Sequence, residues 1–263
     1  MLIDTHCHLD FPDFAPEQAE IVARAQARGV KRMITISTHL SRVEQVKAVA
    51  EKYENVFFTV GTHPHHAHEE AMPTVENLVS LSRHPKCVGL GEAGLDYHYD
   101  TAPRDISRQV FLTHIEAARQ TGLPLVIHTR DADEDCVTIL QEEMSKGAFK
   151  ALLHCFTSGE ALAHTAIGLG IYISFSGVLT FKNSQPLREI AKKLPLSHLL
   201  VETDAPFLAP VPYRGKRNEP AYVVDTARVL AEIKEVDEAT LARQTTENAL
   251  RLFSKMPPLE SAR

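Results

Sequence analysis

Residues 2–37, LIDTHCHLDFPDFAPEQAEIVARAQARGVKRMITIS, decide the fold. LIDTH (2–6) predicts a short strand, PEQAEIVARAQARG (16–29) a helix with apolar residues at helical spacing, and KRMITIS (31–37) the next strand. Gly29 stands where a helix is usually closed by a residue in the left-handed region. The same unit recurs along the chain. Further strand-like runs are VFFTVGTH (56–63), CVGLGEAG (87–94), LPLVIHT (123–129), ALLHCF (151–156), IYISFSG (171–177) and LLVETD (199–204). Between them lie helical patterns such as RDISRQVFLTHIEAARQTG (104–122), ending at Gly122, and EEAMPTVENLVSLSRHP (69–85), read as scaffold; 219–253 predicts two more helices. The strand runs are almost continuously apolar, as parallel strands buried on both faces are.

Eight right-handed βαβ units in 263 residues match a (β/α)8 TIM barrel spanning 1–263 as one domain, with 257–263 expected to fray. The alternative, an open doubly wound sheet, calls for a glycine-rich GxGxxG turn after the first strand, where this chain has THCHLD. Apolar residues make up 44% and charged residues 24%, so a large core is expected. No uninterrupted apolar run reaches membrane-spanning length, and MLIDTHCHLD does not read as a signal peptide, so a cytoplasmic address is expected. Cys7, Cys87, Cys136 and Cys155 form no CxxC pair and read as reduced structural thiols. A net charge of −6 excludes coating nucleic acid by bulk electrostatics; an anionic substrate must be gripped locally. Fourteen histidines without a tryptophan are the composition's one strong signal.

Those histidines collect at strand ends. His6 and His8 follow the first strand two residues apart, and on extended chain that spacing turns both imidazoles to one side. His63 follows the third strand, Glu92 the fourth, His128 the fifth, His154 the sixth and Asp204 the eighth. In a barrel, all these ends open onto one face. A single histidine at a strand end is more often a hydrogen-bonded core residue, but polar groups closing several apolar strands are costly unless paired or metal-bound. Four imidazoles and two carboxylates exceed the usual three protein ligands of one catalytic zinc, which suits two ions sharing a bridge. Glu92 is the natural bridge. His6, His8 and Asp204 would complete one ion, His128 and His154 the other, with Asp204 placed to accept a proton from attacking water. Cys7 and Cys155, beside ligands, are expected to face the other way.

The blocks IDTHCHLD (3–10), GTHPHHA (61–67), GEAGLDY (91–97), HTRDA (128–132), LHCFTSG (153–159), ISFSGVLTFKN (173–183), VETDAPFLAP (201–210) and RGKRNEP (214–220) resemble, in order and over nearly the whole chain, the TatD family of metal-dependent hydrolases and deoxyribonucleases. The resemblance implies a metallo-dependent hydrolase TIM barrel with a binuclear site on His6, His8, Glu92, His128, His154 and Asp204. It implies DNA, single-stranded or damaged, as substrate and 3′-to-5′ exonuclease polarity. Related amidohydrolases often bridge their metals with a carbamylated lysine, whereas GLGEAG here offers Glu92. Ala93 departs mildly from the family pattern; its neighbours Glu92 and Gly94 do not.

Around the centre, His63 and, less directly, His65 are candidates to hydrogen-bond the scissile phosphate, while His66 and His68 read as polar rim. Arg130 suits a phosphate clamp, or a structural ion pair with Asp131 or Asp96. YRGKRNEP (213–220) supplies Arg214, Lys216 and Arg217 as a local basic cluster. Tyr97 and Phe181 are candidates for base stacking or for packing. The ligand types favour zinc, manganese or iron, with magnesium held loosely. Hydrolysis of another ester or amide, such as mischarged tRNA or a small metabolite, is the competing enzymatic reading; a metal-loaded scaffold is disfavoured because the donor set leaves coordination positions open. A monomer is expected.

Overall fold

The computed structural model describes residues 1–259, so of the tail at 257–263, residues 260–263 lie outside the described residues. Eight strands alternate with helices in the order β1 (Leu2–Cys7), α1 (Gln18–Ala27), β2 (Val30–Thr35), α2 (Val43–Lys52), β3 (Val56–Val60), α3 (Val75–Leu81), β4 (Cys87–Asp96), α4 (Arg104–Thr121), β5 (Leu125–Arg130), α5 (Asp133–Lys146), β6 (Ala151–Leu153), α6 (Glu160–Gly168), β7 (Tyr172–Phe175), α7 (Gln185–Lys193), β8 (Leu199–Val201), α8 (Val223–Lys234) and α9 (Glu238–Leu252). The strands pair in sequence order, all parallel. A bridge between Cys7 and Ala205 and the bond from His8 N to Ala205 O (2.8 Å) bring the last strand's exit back to the first. The result is a nearly closed (β/α)8 barrel.

Its interior is divided by height. One apolar residue from each strand, Ile3, Ile34, Phe57, Val88, Val126, Leu152, Tyr172 and Leu200, packs into a single cluster at the N-terminal end, and Leu252, Phe253 and Met256 at the end of α9 close it from below. Side chains alternate along a strand, so the residue two further on returns to the interior one layer higher. Val126 is thus followed by His128, Leu152 by His154 and Leu200 by Glu202. The outer faces of the strands meet the helices in the main core.

Several expected elements are shorter than the sequence suggests. β6 stops at Leu153 and β8 at Val201; just beyond them Cys155 (φ 42°) and Asp204 (φ 57°) take left-handed conformations that interrupt the regular ladder. The helix expected over 69–85 occupies only Val75–Leu81. Pro73 bars an earlier start, and the Thr74 hydroxyl accepts the Asn77 N–H at 3.2 Å to cap it. Residues 69–74 are therefore loop. Gly122, at φ 69°, closes α4 as its position suggests.

Candidate metal centre

Close strand approach at the top of the barrel brings the donors together. At Gly94 (φ 152°) a Cβ would stand 1.9 Å from His128 O, so only glycine lets β4 lie close enough to β5 to set Glu92 beside His128. At the other side of the mouth, buried Asp4 accepts Thr203 N (2.9 Å), Thr203 Oγ1 (2.6 Å) and His6 N (3.3 Å), and Asp204 N donates to His6 O at 2.9 Å. These bonds clamp the strand carrying His6 and His8 to the loop carrying Asp204.

All six expected ligands converge. Glu92 is buried and its two oxygens look in different directions. Oε1 lies 2.6 Å from His154 Nε2 and 2.9 Å from His128 Nδ1, while Oε2 lies 3.3 Å from His6 Nε2. His6 Nε2 and His8 Nε2 stand 3.3 Å apart, and Asp204 Oδ1 is 3.4 Å from His8 Nε2 and 3.6 Å from His6 Nε2. The donors fall into two sets, His6–His8–Asp204 on one carboxylate oxygen and His128–His154 on the other. Cys7 is buried with its thiol against Ile34 O, and Cys155 places its thiol 3.1 Å from Ser176 Oγ; neither joins the donors.

The backs of the rings settle their tautomers. His128 Nε2 donates to Asp96 Oδ2 (2.9 Å), His154 Nδ1 to Glu202 Oε1 (3.2 Å) and His8 Nδ1 to Ile36 O (3.3 Å). Each ring then turns its other nitrogen, a lone pair, toward the centre, the arrangement second-shell acceptors impose on metal ligands. Burial works against charge here, yet Glu92, with its three flanking imidazoles and the His128 bond, is held well below the usual carboxylate range. The same carboxylates outweigh burial at His154 and His128 and draw protons onto both. The pocket calls for positive charge, and its lone pairs suit a cation in place of those protons. Among the described residues, His6 Nδ1 and Glu202 Oε2 are buried without a hydrogen-bond partner, further polar capacity beside the centre. On donor chemistry, divalent metal fits.

His63 adds a fifth imidazole with a different role. Its Nδ1 accepts the His65 N–H at 3.0 Å, so Nε2 carries the hydrogen and points it at Glu92 Oε1, 3.2 Å away. Burial lowers its pKa to about 3, leaving a neutral donor. His65 is committed to Asp96 Oδ2 (2.7 Å), behind His128. Asp96 and Glu202, which accept hydrogen bonds from the candidate ligands His128 and His154, are not singled out for that role by the sequence, where Asp96 enters only as a possible partner of Arg130.

A cavity of about 520 Å³ rises from Glu92 past His63, Arg130 and Tyr99 to Phe11, Phe207 and Leu208. Phe207 is 51% exposed and Tyr99 56%. Arg130 makes neither of the ion pairs considered for it; Asp131 is taken by His98 and Asp96 by His65 and His128, and the guanidinium lies 4.9 Å from the Tyr99 ring centre. A second groove of about 430 Å³ shares Phe207 and Leu208 with the cavity and is lined by Arg214, Lys216 and Phe181. Arg214 covers the Phe181 ring at 3.7 Å. Arg217 instead binds Asp13 O and Glu17, both at 2.7 Å. Tyr97 packs under Arg104 (3.9 Å) with its hydroxyl on Asp135. The aromatic rings that line the cavity are instead Phe207, Phe11 and Tyr99, which the sequence does not single out.

A parallel barrel with imidazoles and carboxylates gathered at its C-terminal mouth defines a metallo-dependent hydrolase barrel. The family profile described as TatD related DNase matches residues 3–254, and the chain belongs to that family of metal-dependent hydrolases. The chain is 41% identical over 253 residues to the uncharacterized metal-dependent hydrolase YabD of Bacillus subtilis, covering 96% of this chain and 99% of that protein. It is 32% identical over 257 residues to a protein of Escherichia fergusonii named 3′-5′ ssDNA/RNA exonuclease TatD, covering 96% and 98%. Among solved structures, a TatD homologue of Escherichia coli K12 superposes with a TM-score of 0.90 at 29% identity, over 97% of this chain and 98% of that one. An organophosphorus hydrolase of Deinococcus radiodurans, TM-score 0.67 at 13% identity over 96% and 92%, shares the fold.

Proposed function

We propose that the chain is a 3′-to-5′ exonuclease that hydrolyses terminal phosphodiesters of single-stranded DNA with two divalent ions, acting as a monomer in the cytoplasm. The observation that carries this reading is the continuity of Glu92, with a separate donor set on each oxygen, with a cavity walled by Arg130 and exposed aromatic rings and a basic groove beyond it. The polarity draws on the family and on the name of the Escherichia fergusonii relative. Four free cysteines suit a reducing compartment, and among the described residues no helix is long and apolar enough to cross a membrane.

In this reading His6, His8 and Asp204 hold one ion and His128 and His154 the other, with Glu92 shared. Zinc, manganese or iron suits the donors, magnesium less tightly. When bound, such ions polarise a phosphoryl oxygen and acidify water. The chain's own groups do the rest. Asp204 resists burial's upward push because the His8 bond and nearby imidazoles keep it ionised, so it can accept the attacking water's proton. His63 donates its Nε2 hydrogen to a non-bridging phosphate oxygen, and Arg130 neutralises the phosphate's charge. Terminal bases stack on Phe207 and Phe11. Arg214 and Lys216 hold the backbone upstream.

The test is mononucleotide release from end-labelled single-stranded DNA by metal-reconstituted protein, beside chelator-treated protein and Asp204→Asn. Release from the 3′ end that needs both metal and Asp204 supports the reading. No release from protein carrying two metal equivalents overturns the nuclease assignment and moves the chemistry to another ester or amide.

A further inference from the structure

A second group of metal-ligating side chains lies outside the Glu92 centre. His39, on the loop after β2, and His66 and Glu69, on the loop after β3, gather at the rim of the barrel with their ligand atoms within 4.8 Å of one another. The His66 Nδ1 to Glu69 Oε2 distance is 3.0 Å and the His39 Nε2 to Glu69 Oε2 distance 3.5 Å. These bracket the roughly 3.3 Å edge of a tetrahedron drawn around zinc with bonds of about 2.0–2.1 Å. We propose that His39, His66 and Glu69 form a third divalent-cation site, of the zinc type, separate from the Glu92 centre.

Three observations make this more than a surface ion pair. First, an ion pair needs only His66 and Glu69, yet His39 is 7% exposed and stacks on His66 with ring centres 3.8 Å apart. A nitrogen of each ring then faces the same carboxylate oxygen, Glu69 Oε2. Second, the rear nitrogen of His39 is engaged by the Thr38 hydroxyl at 2.9 Å, which leaves Nε2 for the metal side. Third, Glu70 fastens the two loops together: its carboxylate accepts Leu40 N (2.9 Å), Ser41 N (2.8 Å) and Thr62 Oγ1 (3.2 Å). The donors are held in place by a buttress that also adds negative charge against Arg42. Three protein ligands leave a fourth position open, as in exchangeable or catalytic zinc sites. His66 also lines the central cavity, so the site sits at the cavity's mouth.

The site is tested by counting metal. Protein already loaded at the Glu92 centre is dialysed against buffered free Zn2+ of rising concentration, and bound zinc is measured by elemental analysis. The wild-type chain is expected to take up one further equivalent, while Glu69→Gln and His66→Gln, both at partly exposed loop positions, lose that equivalent and keep those bound before it. His68→Gln, on the same loop but outside the cluster, retains it. Equal zinc uptake by wild type and Glu69→Gln overturns the proposal, as does a wild-type curve without the extra equivalent. A variant that has unfolded would shed all its zinc, so loss of one equivalent alone reports the site. The readout is a difference between variants, so it stands apart from whether the centre hydrolyses DNA.

Discussion

His114 offers a quantitative check on how the helices hold the site. It lies in α4, fully buried, with both ring nitrogens committed: Nδ1 donates to Val110 O at 2.8 Å, and Nε2 accepts the Thr62 N–H at 3.3 Å. A neutral imidazole thus anchors the residue before His63. Burial pushes its pKa from 6.5 to about 4. Between those values the unfolded chain binds a proton that the native state refuses, so unfolding free energy rises with pH through the window. The stability this group contributes is complete above about pH 6.5 and is lost as pH falls toward 4. At about 1.4 kcal/mol per pH unit, the full loss is about 3 kcal/mol, of which about 2 kcal/mol is gone by pH 5. His114→Gln cannot titrate. At pH 7.5 it should be less stable than wild type by about 1–2 kcal/mol through the disturbed hydrogen bonds. By pH 5 that gap should close or reverse. Urea unfolding of both proteins at half-unit pH steps measures it, and titration of the candidate metal ligands cancels in the difference. A gap constant across the range would refute the reasoning.

Other expectations concern the mouth and the floor. Glu92→Gln should fold but fall from two bound metals to one or none, read by elemental analysis, since the amide offers one neutral oxygen in place of a shared carboxylate. Asp204→Asn should lower kcat by about 10²–10⁴, the usual contribution of a positioned base, with a smaller change in KM. Phe207→Ala should raise KM for single-stranded DNA by about 5- to 150-fold, a stacking loss of about 1–3 kcal/mol, and leave hydrolysis of a small phosphodiester untouched. Leu252→Ala should cost about 2–5 kcal/mol in thermal or urea unfolding while metal content is unchanged.

The eight strands were legible because strands buried on both faces must be apolar throughout, and that pattern survives in LPLVIHT or IYISFSG without knowledge of the partners. Their ends were less so. In ALLHCF and LLVETD the last residues look like strand but turn inward at Cys155 and Asp204, a choice made by neighbouring strands rather than by local propensity. The six converging donors could be read because barrel topology brings strand ends together wherever they fall in sequence. Glu202 was within reach of the same alternation that paired His6 with His8, standing two residues before Asp204. Asp96, four residues past Glu92, shares that alternation too, but its place behind the His128 ring depends on the register that pairs Gly94 with His128 and Asp96 with Arg130. Phe207, Tyr99 and the His39–His66 stack depend on loop paths that sequence periodicity does not encode. EEAMPTVENLV looked like helix and scaffold; Pro73 leaves Glu69 and Glu70 on a loop beside two histidines.

The apolar disc formed by one side chain from each strand, sealed by Leu252, Phe253 and Met256, makes the central chamber a blind alley. Nothing can thread through the barrel. Solute traffic is one in, one out: whatever is cleaved above Glu92 must leave by the opening through which the next residue arrives. On the proposed exonuclease reading, such a dead end admits a polymer by its terminus.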